Sequence, residues 1–210
     1  LTLGLEIIGR AKMRQGAFGE ALAAFVTVRG AGELDRVRLF DWTLMAAHCA
    51  GESKRASVLA GDAIERGTTR LVPYAVHSLV NGVGWAKFVR EVRKFIGEPE
   101  FAFLELSLFF ADLGRYREAF DLLRASCVNG HLTEEVRPLP FYYLAYFAEK
   151  NGQIKQAATY LQQAAACQSD YVFPSQVETI SILEYATQQV PDDSRAHLYC
   201  FAIHQHTNVL

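Results

Sequence analysis

A short pattern centred on a glycine recurs four times along the chain. The copies begin at Gly16, Gly51, Gly114 and Gly152, and an alanine follows each glycine five positions later. Glycine adopts the left-handed conformation that ends many helices, and a small alanine lets two helices cross closely. Gly16 and Gly51 are 35 residues apart, and Gly114 and Gly152 are 38 residues apart. The pattern therefore predicts a repeated helix–turn–helix unit.

The residues around these glycines have helical periodicity. Apolar side chains recur at positions such as Phe103, Leu106 and Phe110 before a glycine, and Leu123 follows in the next helix. Period-2 alternation, which would indicate half-buried strands, is not found over any convincing length. The sequence therefore predicts an all-α chain.

The repeated unit resembles the tetratricopeptide repeat (TPR). The copies that start at Phe103 and Phe141 match best, the copy from Leu5 matches well, and the copy from Phe40 is degenerate because Ser53 replaces a usual aromatic residue. The resemblance implies a right-handed α-solenoid of TPR-like antiparallel helix pairs. Each pair buries its apolar face only by stacking on its neighbours.

We expect three regions along the chain. Residues 1–66 and 99–210 are predicted to form TPR-like helix pairs, and residues 67–98 a divergent helical connector with a short helix near 73–80. Near the C-terminus, residues 176–190 are interpreted as a fifth helix pair, closed by Pro191. Residues 194–204 are interpreted as the first helix of a further, truncated repeat, and the chain is therefore expected to be a fragment.

The C-terminal half has a narrower resemblance. Its order of motifs, above all the string Tyr171-Val172-Phe173-Pro174, is similar to the repeat region of large bacterial proteins that carry a mutarotase-like β-sandwich. This resemblance implies a helical accessory region of a carbohydrate-related protein. It does not place an active site on this chain.

Composition limits the classes of partner. The chain has 210 residues with 21 Lys and Arg against 23 Asp and Glu, so its net charge of −2 predicts neither a nucleic-acid nor a membrane partner. Four widely spaced cysteines without a C-x-x-C pair indicate a reducing compartment, and we expect a cytoplasmic protein.

Several motifs suggest chemistry but have simpler interpretations. His197, Cys200 and His204 share one helix face and have His206 nearby, yet one straight helix cannot surround a tetrahedral ion. The run Asn81-Gly82-Val83-Gly84 lacks the preceding strand of a phosphate-binding loop and is expected to be a turn between helices.

Charged clusters are interpreted in the same way. The carboxylate pairs Glu134-Glu135 and Asp192-Asp193 are expected at helix starts. A basic stripe is either a solvated helix face or a docking site for an acidic partner. It consists of Lys87, Arg90, Arg93 and Lys94. We predict no catalytic residue, no metal and no cofactor, and thus a non-enzymatic protein.

The strongest candidate for a binding site is a groove lined by the first helices of the repeats. Tyrosine combines a large apolar area with a hydroxyl group and is common at binding surfaces. The predicted groove residues are Phe101, Glu105, Tyr142, Tyr146, Glu149, Lys150 and Tyr199. Tyr142 and Tyr146 fit groove and inter-repeat core equally well, whereas Tyr143 fits the core better.

The groove predicts a scaffold that binds a protein or peptide. The partner is a separate protein, another domain of a parent chain or a second copy of this one. The alternative is an accessory region of a carbohydrate-processing enzyme that contributes sugar contacts or positions the catalytic domain.

Overall fold

The structure, a computed structural model, describes residues 2–29, 39–96, 99–128, 138–167, 174 and 176–207. Every regular element in these ranges is a helix. The chain divides into two compact units, Leu1–Ala102 with Asp112–Gly114, and Phe103–Ala111 with Arg115–Leu210. No helix among the described residues combines the length and apolarity of a membrane span.

The helices follow one another in pairs. In chain order they are α1 (Thr2–Arg14), α2 (Phe18–Arg29), α3 (Phe40–Cys49), α4 (Ser53–Glu65), α5 (Leu71–Val80), α6 (Trp85–Val92), α7 (Pro99–Asp112), α8 (Tyr116–Val128), α9 (Pro138–Lys150), α10 (Ile154–Ala166), α11 (Thr179–Gln189) and α12 (Ser194–Thr207). Connections of three or four residues within a pair make the two helices antiparallel neighbours. In each unit the helices pack as stacked pairs, so the predicted all-α solenoid class is confirmed.

The four motif glycines lie at the turns, as predicted. Gly16, Gly51, Gly114 and Gly152 have φ angles of 72 to 80°, a region that favours glycine. At Gly152 the amide donates to the Glu149 carbonyl at 2.8 Å, and the next amide, of Gln153, donates to the Ala148 carbonyl at 2.8 Å. This Schellman arrangement satisfies the last carbonyls of α9 and turns the chain into α10.

Small residues permit the close crossing inside each pair. The alanines that follow the glycines by five positions are at most 1% exposed; they are Ala21, Ala56, Ala119 and Ala157. Gly9 of α1 serves the same purpose, because a Cβ there would stand 2.8 Å from Cδ1 of Phe25 in α2, and closer still to its Cε1. In this pair a large side chain, Phe25, is buried against the smallest residue.

Residues 67–96 contain a helix pair. The predicted short helix is α5, which packs on α3 and α4, and the Asn81–Gly84 run is the turn to α6, with Gly82 at φ 65°. This outcome confirms the turn interpretation of the lone G-x-G. Arg70, just before α5, donates to Oδ2 of Asp41 in α3 at 2.7 and 3.1 Å.

The interpretation of the C-terminal region was wrong. Residues 176–190 hold one helix, α11, which packs on α9. The helix after Pro191, α12, is its second member and packs against it. Fifteen residues are too few for two average helices and a turn. Asp193 caps α12: its Oδ1 accepts from the amides of Arg195 and Ala196 at 3.1 and 3.2 Å.

Candidate functional site

Two of the predicted groove residues are buried in the second unit. Tyr142 of α9 is 0% exposed, and its hydroxyl donates to Oδ2 of Asp193 at 2.7 Å. Tyr199 of α12 is 1% exposed. Burial raises the pKa of Tyr142 well above its ordinary value, and the hydrogen bond to Asp193 raises it further. Both tyrosines belong to the core between helix pairs, so their assignment to a binding groove is corrected.

Tyr143 is also buried, in line with its core interpretation. Its hydroxyl shares a hydrogen bond with that of Thr179, the first residue of α11. Burial raises the pKa of Tyr143 above its ordinary value. Tyr142 and Tyr143 together join α9 to the last helix pair by two buried hydrogen bonds.

The remaining α9 residues of the predicted groove lie near the surface. Tyr146 and Glu149 are partly exposed and Lys150 is exposed, all within the last two turns of the helix. Tyr185 of α11 packs edge to face on Tyr146 with 5.7 Å between ring centroids, and Tyr116 of α8 does so at 6.3 Å. We call these five residues the tyrosine patch.

Two opposite charges lie within the tyrosine patch. The Lys150 ammonium is 5.0 Å from the centroid of the Tyr146 ring and 3.6 Å from Oε2 of Glu149. Burial raises the pKa of Tyr146, and Lys150 partly offsets this effect. Burial also raises the pKa of Tyr185, and the Glu149 carboxylate adds to the increase. Glu149 is therefore close enough to act electrostatically on both phenols.

The backbone fixes the positions of the patch residues. Lys150 is one helical turn beyond Tyr146, which places its ammonium over that ring. Asn151, at the turn into α10, donates from Nδ2 to the Tyr116 carbonyl at 3.0 Å and so ties the start of α8 to the end of α9. The patch thus sits on helix ends that are held by a turn and a hydrogen bond.

The last two predicted groove residues lie elsewhere. Glu105 of α7 is exposed and accepts a hydrogen bond from Nε2 of Gln176 at 3.4 Å. Phe101 is 41% exposed and belongs to the first unit. The structure therefore assembles three of the seven predicted residues into one patch.

Sequence analysis did not assign Tyr116 and Tyr185 to the site. Tyr116 was visible as the bulky residue two positions after Gly114. Tyr185 lies on the segment that was wrongly divided into two helices. If residues 176–190 had been assigned to a single helix, α11 would have been recognised as the first helix of the pair that packs on α9. Tyr185 could then have been placed beside Tyr146.

His197 and His204 of α12 have separate neighbours. Nε2 of His197 is 2.8 Å from the Pro191 carbonyl, and Nε2 of His204 is 3.9 Å from Oε1 of Glu184. Among the residues that the structure describes, no three His, Cys, Asp or Glu side chains are grouped as a metal site requires. The side chain of His206 lies outside this description.

The basic stripe lies on α6 and the two residues that follow it, and Arg93 is only partly exposed. Lys87, Arg90 and Lys94 are exposed, and Lys94 pairs with Glu91. Phe88 and Val92 are buried behind them. The pair Glu134-Glu135 and the residues Tyr171-Val172-Phe173 lie outside the described residues.

Comparison with known proteins gives structural similarity only. No protein-family model matches the chain, and no curated protein matches it. MamA MSR-1 C2 is 16% identical, with a TM-score of 0.35, and the match covers 78% of this chain and 94% of that one. The TPR-like repeats of a Podosopora anserina kinesin light chain-like protein are 15% identical, with a TM-score of 0.37, and the match covers 99% and 96%. Neither similarity supports the carbohydrate-related resemblance.

Proposed function

We propose that the second unit is a non-enzymatic scaffold that binds a protein segment, and that the tyrosine patch is its contact surface. The observation that carries the proposal is the packing of three partly exposed tyrosines edge to face beside an exposed lysine and a partly exposed carboxylate. Tyrosine is among the side chains that contribute most to the binding energy of protein interfaces.

Preorganisation supports the same function. The three rings hold each other at centroid distances of 5.7 to 6.3 Å and stand on helices, so a partner would not have to order them on binding. Binding to ordered side chains avoids much of the entropy cost of association. A stack of helix pairs also has few of the converging loops on which catalytic residues usually lie.

Site-specific photo-crosslinking tests the proposal on the full chain. A photoreactive phenylalanine analogue at position 185 should yield an adduct of discrete mass with one protein partner, and the Tyr146→Leu change should reduce that adduct severalfold. The matched control places the same analogue at Thr159, which is exposed on α10. Equal adducts from both positions, or none from position 185, would exclude the patch as a docking site.

The other predicted partners remain outcomes of the same experiment. An adduct with a second copy indicates self-association, and one with a covalently linked neighbour indicates an interdomain contact. The alternative, a sugar-contacting accessory region, remains a prediction. Calorimetry with an oligosaccharide panel tests it, since saturable heats that disappear in Tyr146→Leu would favour sugar over protein.

A further inference from the structure

We infer that the tyrosine patch selects a cationic side chain, a lysine or an arginine of the partner segment, and that Lys150 occupies this place in the free protein. The inference rests on the proposed function and specifies the chemistry of the partner. Its basis is the pair of contacts that the chain makes with its own ammonium group: an aromatic face at 5.0 Å and a carboxylate oxygen at 3.6 Å.

The contacts of Lys150 are those that recognise a cation. A positive charge within about 6 Å of a tyrosine centroid is attracted by the negative face of the ring. The nearby Glu149 carboxylate adds a second attraction, and its charge also acts on the Tyr185 phenol. Without the Lys150 ammonium, the patch would present ring faces and one negative charge, an arrangement that repels an anionic ligand.

The first unit has a similar set of a cation, an aromatic ring and a carboxylate, in which the cation is held more firmly. There the Arg10 guanidinium lies 4.9 Å from the Trp42 ring centroid and bonds Oε1 of Glu6 at 2.6 Å. The Glu6 side chain is only 6% exposed. The Arg10 side chain is itself 43% exposed, but its carboxylate partner is buried and the contact is short, so this ion pair is firmly held.

Lys150 is held much more weakly. Its side chain, 39% exposed, is about as accessible as that of Arg10, but its partner Glu149 is 34% exposed rather than buried, and the 3.6 Å separation is too long for a hydrogen bond. An exposed ion pair of this kind contributes little to stability and exchanges readily with solvent. A partner cation can therefore replace the Lys150 ammonium without disturbing the helix that carries both residues.

Arginine suits the place better than lysine does. Its planar guanidinium stacks on an aromatic face and can donate two parallel hydrogen bonds to a carboxylate. The Lys150 ammonium offers Glu149 only a distant point charge. An incoming arginine therefore gains contacts that the resident lysine does not make.

The test is a titration of the full chain with three short blocked peptides that differ only in carrying two arginines, two glutamines or two glutamates. Binding is followed by NMR of the Tyr146 and Tyr185 ring signals. We expect the arginine peptide to bind most tightly. Lys150→Met, which removes the competing charge but keeps the length, should tighten it about two- to fivefold, and Glu149→Gln should weaken it by a similar factor.

The matched control is Lys155→Met, because Lys155 is an exposed lysine on α10 of the same unit. This change should leave the affinity for the arginine peptide unaltered, which separates a local effect from a change in net charge. Far-UV circular dichroism of each variant verifies that the helices are intact.

Other outcomes overturn the inference. Tightest binding of the glutamate peptide, with loss of binding in Lys150→Met, would show a site for anions. Equal binding of all three peptides, or of none while the position-185 adduct persists, would refute cation selection and leave the proposed docking function standing. Loss of the adduct as well would refute the docking function itself.

Discussion

The hydrogen bond between Tyr142 and Asp193 gives the most direct test of the corrected core assignment. Tyr142→Phe removes one hydroxyl and keeps the ring, which is 0% exposed. The lost bond, 2.7 Å long, is the contact by which α9 holds the residue that caps α12. If Tyr142 instead faced a groove, removal of its hydroxyl would hardly affect stability.

The magnitude follows from the state of the acceptor. A hydrogen bond to a charged group contributes about 1.5–3 kcal/mol to stability. Asp193 is 8% exposed, so water can reach it in part and the lower half of that range is expected. For a chain of this length, this lower half, about 1.5–2.3 kcal/mol, corresponds to a decrease in melting temperature of about 3–9 °C.

Thermal and urea unfolding, followed by circular dichroism, measure the effect. Tyr185→Phe is the matched control, because that ring is partly exposed and should change the unfolding free energy by less than about 0.5 kcal/mol. A Tyr142→Phe variant as stable as the wild type would refute the buried bond. Reduced crosslinking at position 185 in this variant would contradict our separation of the core from the patch.

Further changes test the fold and its electrostatics. Gly9→Ala should destabilise the first unit by about 1–3 kcal/mol in urea unfolding, because the new Cβ overlaps Phe25; Gly4→Ala, with open space on the same helix, should not. Gly152→Ala should lower the stability of the fold by about 1–2 kcal/mol, because alanine disfavours the φ of 74° at this position. Gly61→Ala inside α4 should be neutral or stabilising, and the melting temperatures of the two variants measure the difference. Burial raises the pKa of Asp41 above 3.8 despite Arg70, so the folded state favours its protonated form, and its contribution to stability falls as pH rises through this raised pKa. Asp41→Asn should therefore flatten the pH dependence of urea midpoints above about pH 4; an unchanged profile would contradict this assignment.

The turns of the fold could be predicted because their cause is local. Gly16, Gly51, Gly114 and Gly152 end helices through their own backbone freedom, and all four have positive φ. The alanines five positions later are all buried, since the same spacing brings them to the crossing point of each pair. Neither property depends on which distant helix packs nearby.

The site could be predicted only in part, because burial depends on distant partners. The acceptor of Tyr142 lies 51 positions away and the partner of Tyr143 lies 36 positions away. The sequence pattern does not distinguish Tyr142 from Tyr146, because either residue fits a buried or an exposed position. The structure separates them because Asp193 covers one hydroxyl, whereas the other ring meets Tyr185 near the helix end.

One error of helix assignment explains two errors at the site. Division of residues 176–190 into two helices made α12 the first helix of a new repeat, which placed Tyr199 on a groove. With α11 as a single helix, α12 becomes a second helix, and its Arg195 reaches the Ala164 carbonyl of α10, the second helix of the preceding pair, at 2.8 Å. Tyr199 then belongs to the core, and Tyr185 takes its place on a first helix beside α9. The number of residues between turns therefore determines which tyrosines are buried and which stay partly exposed, and this segment has room for only one helix.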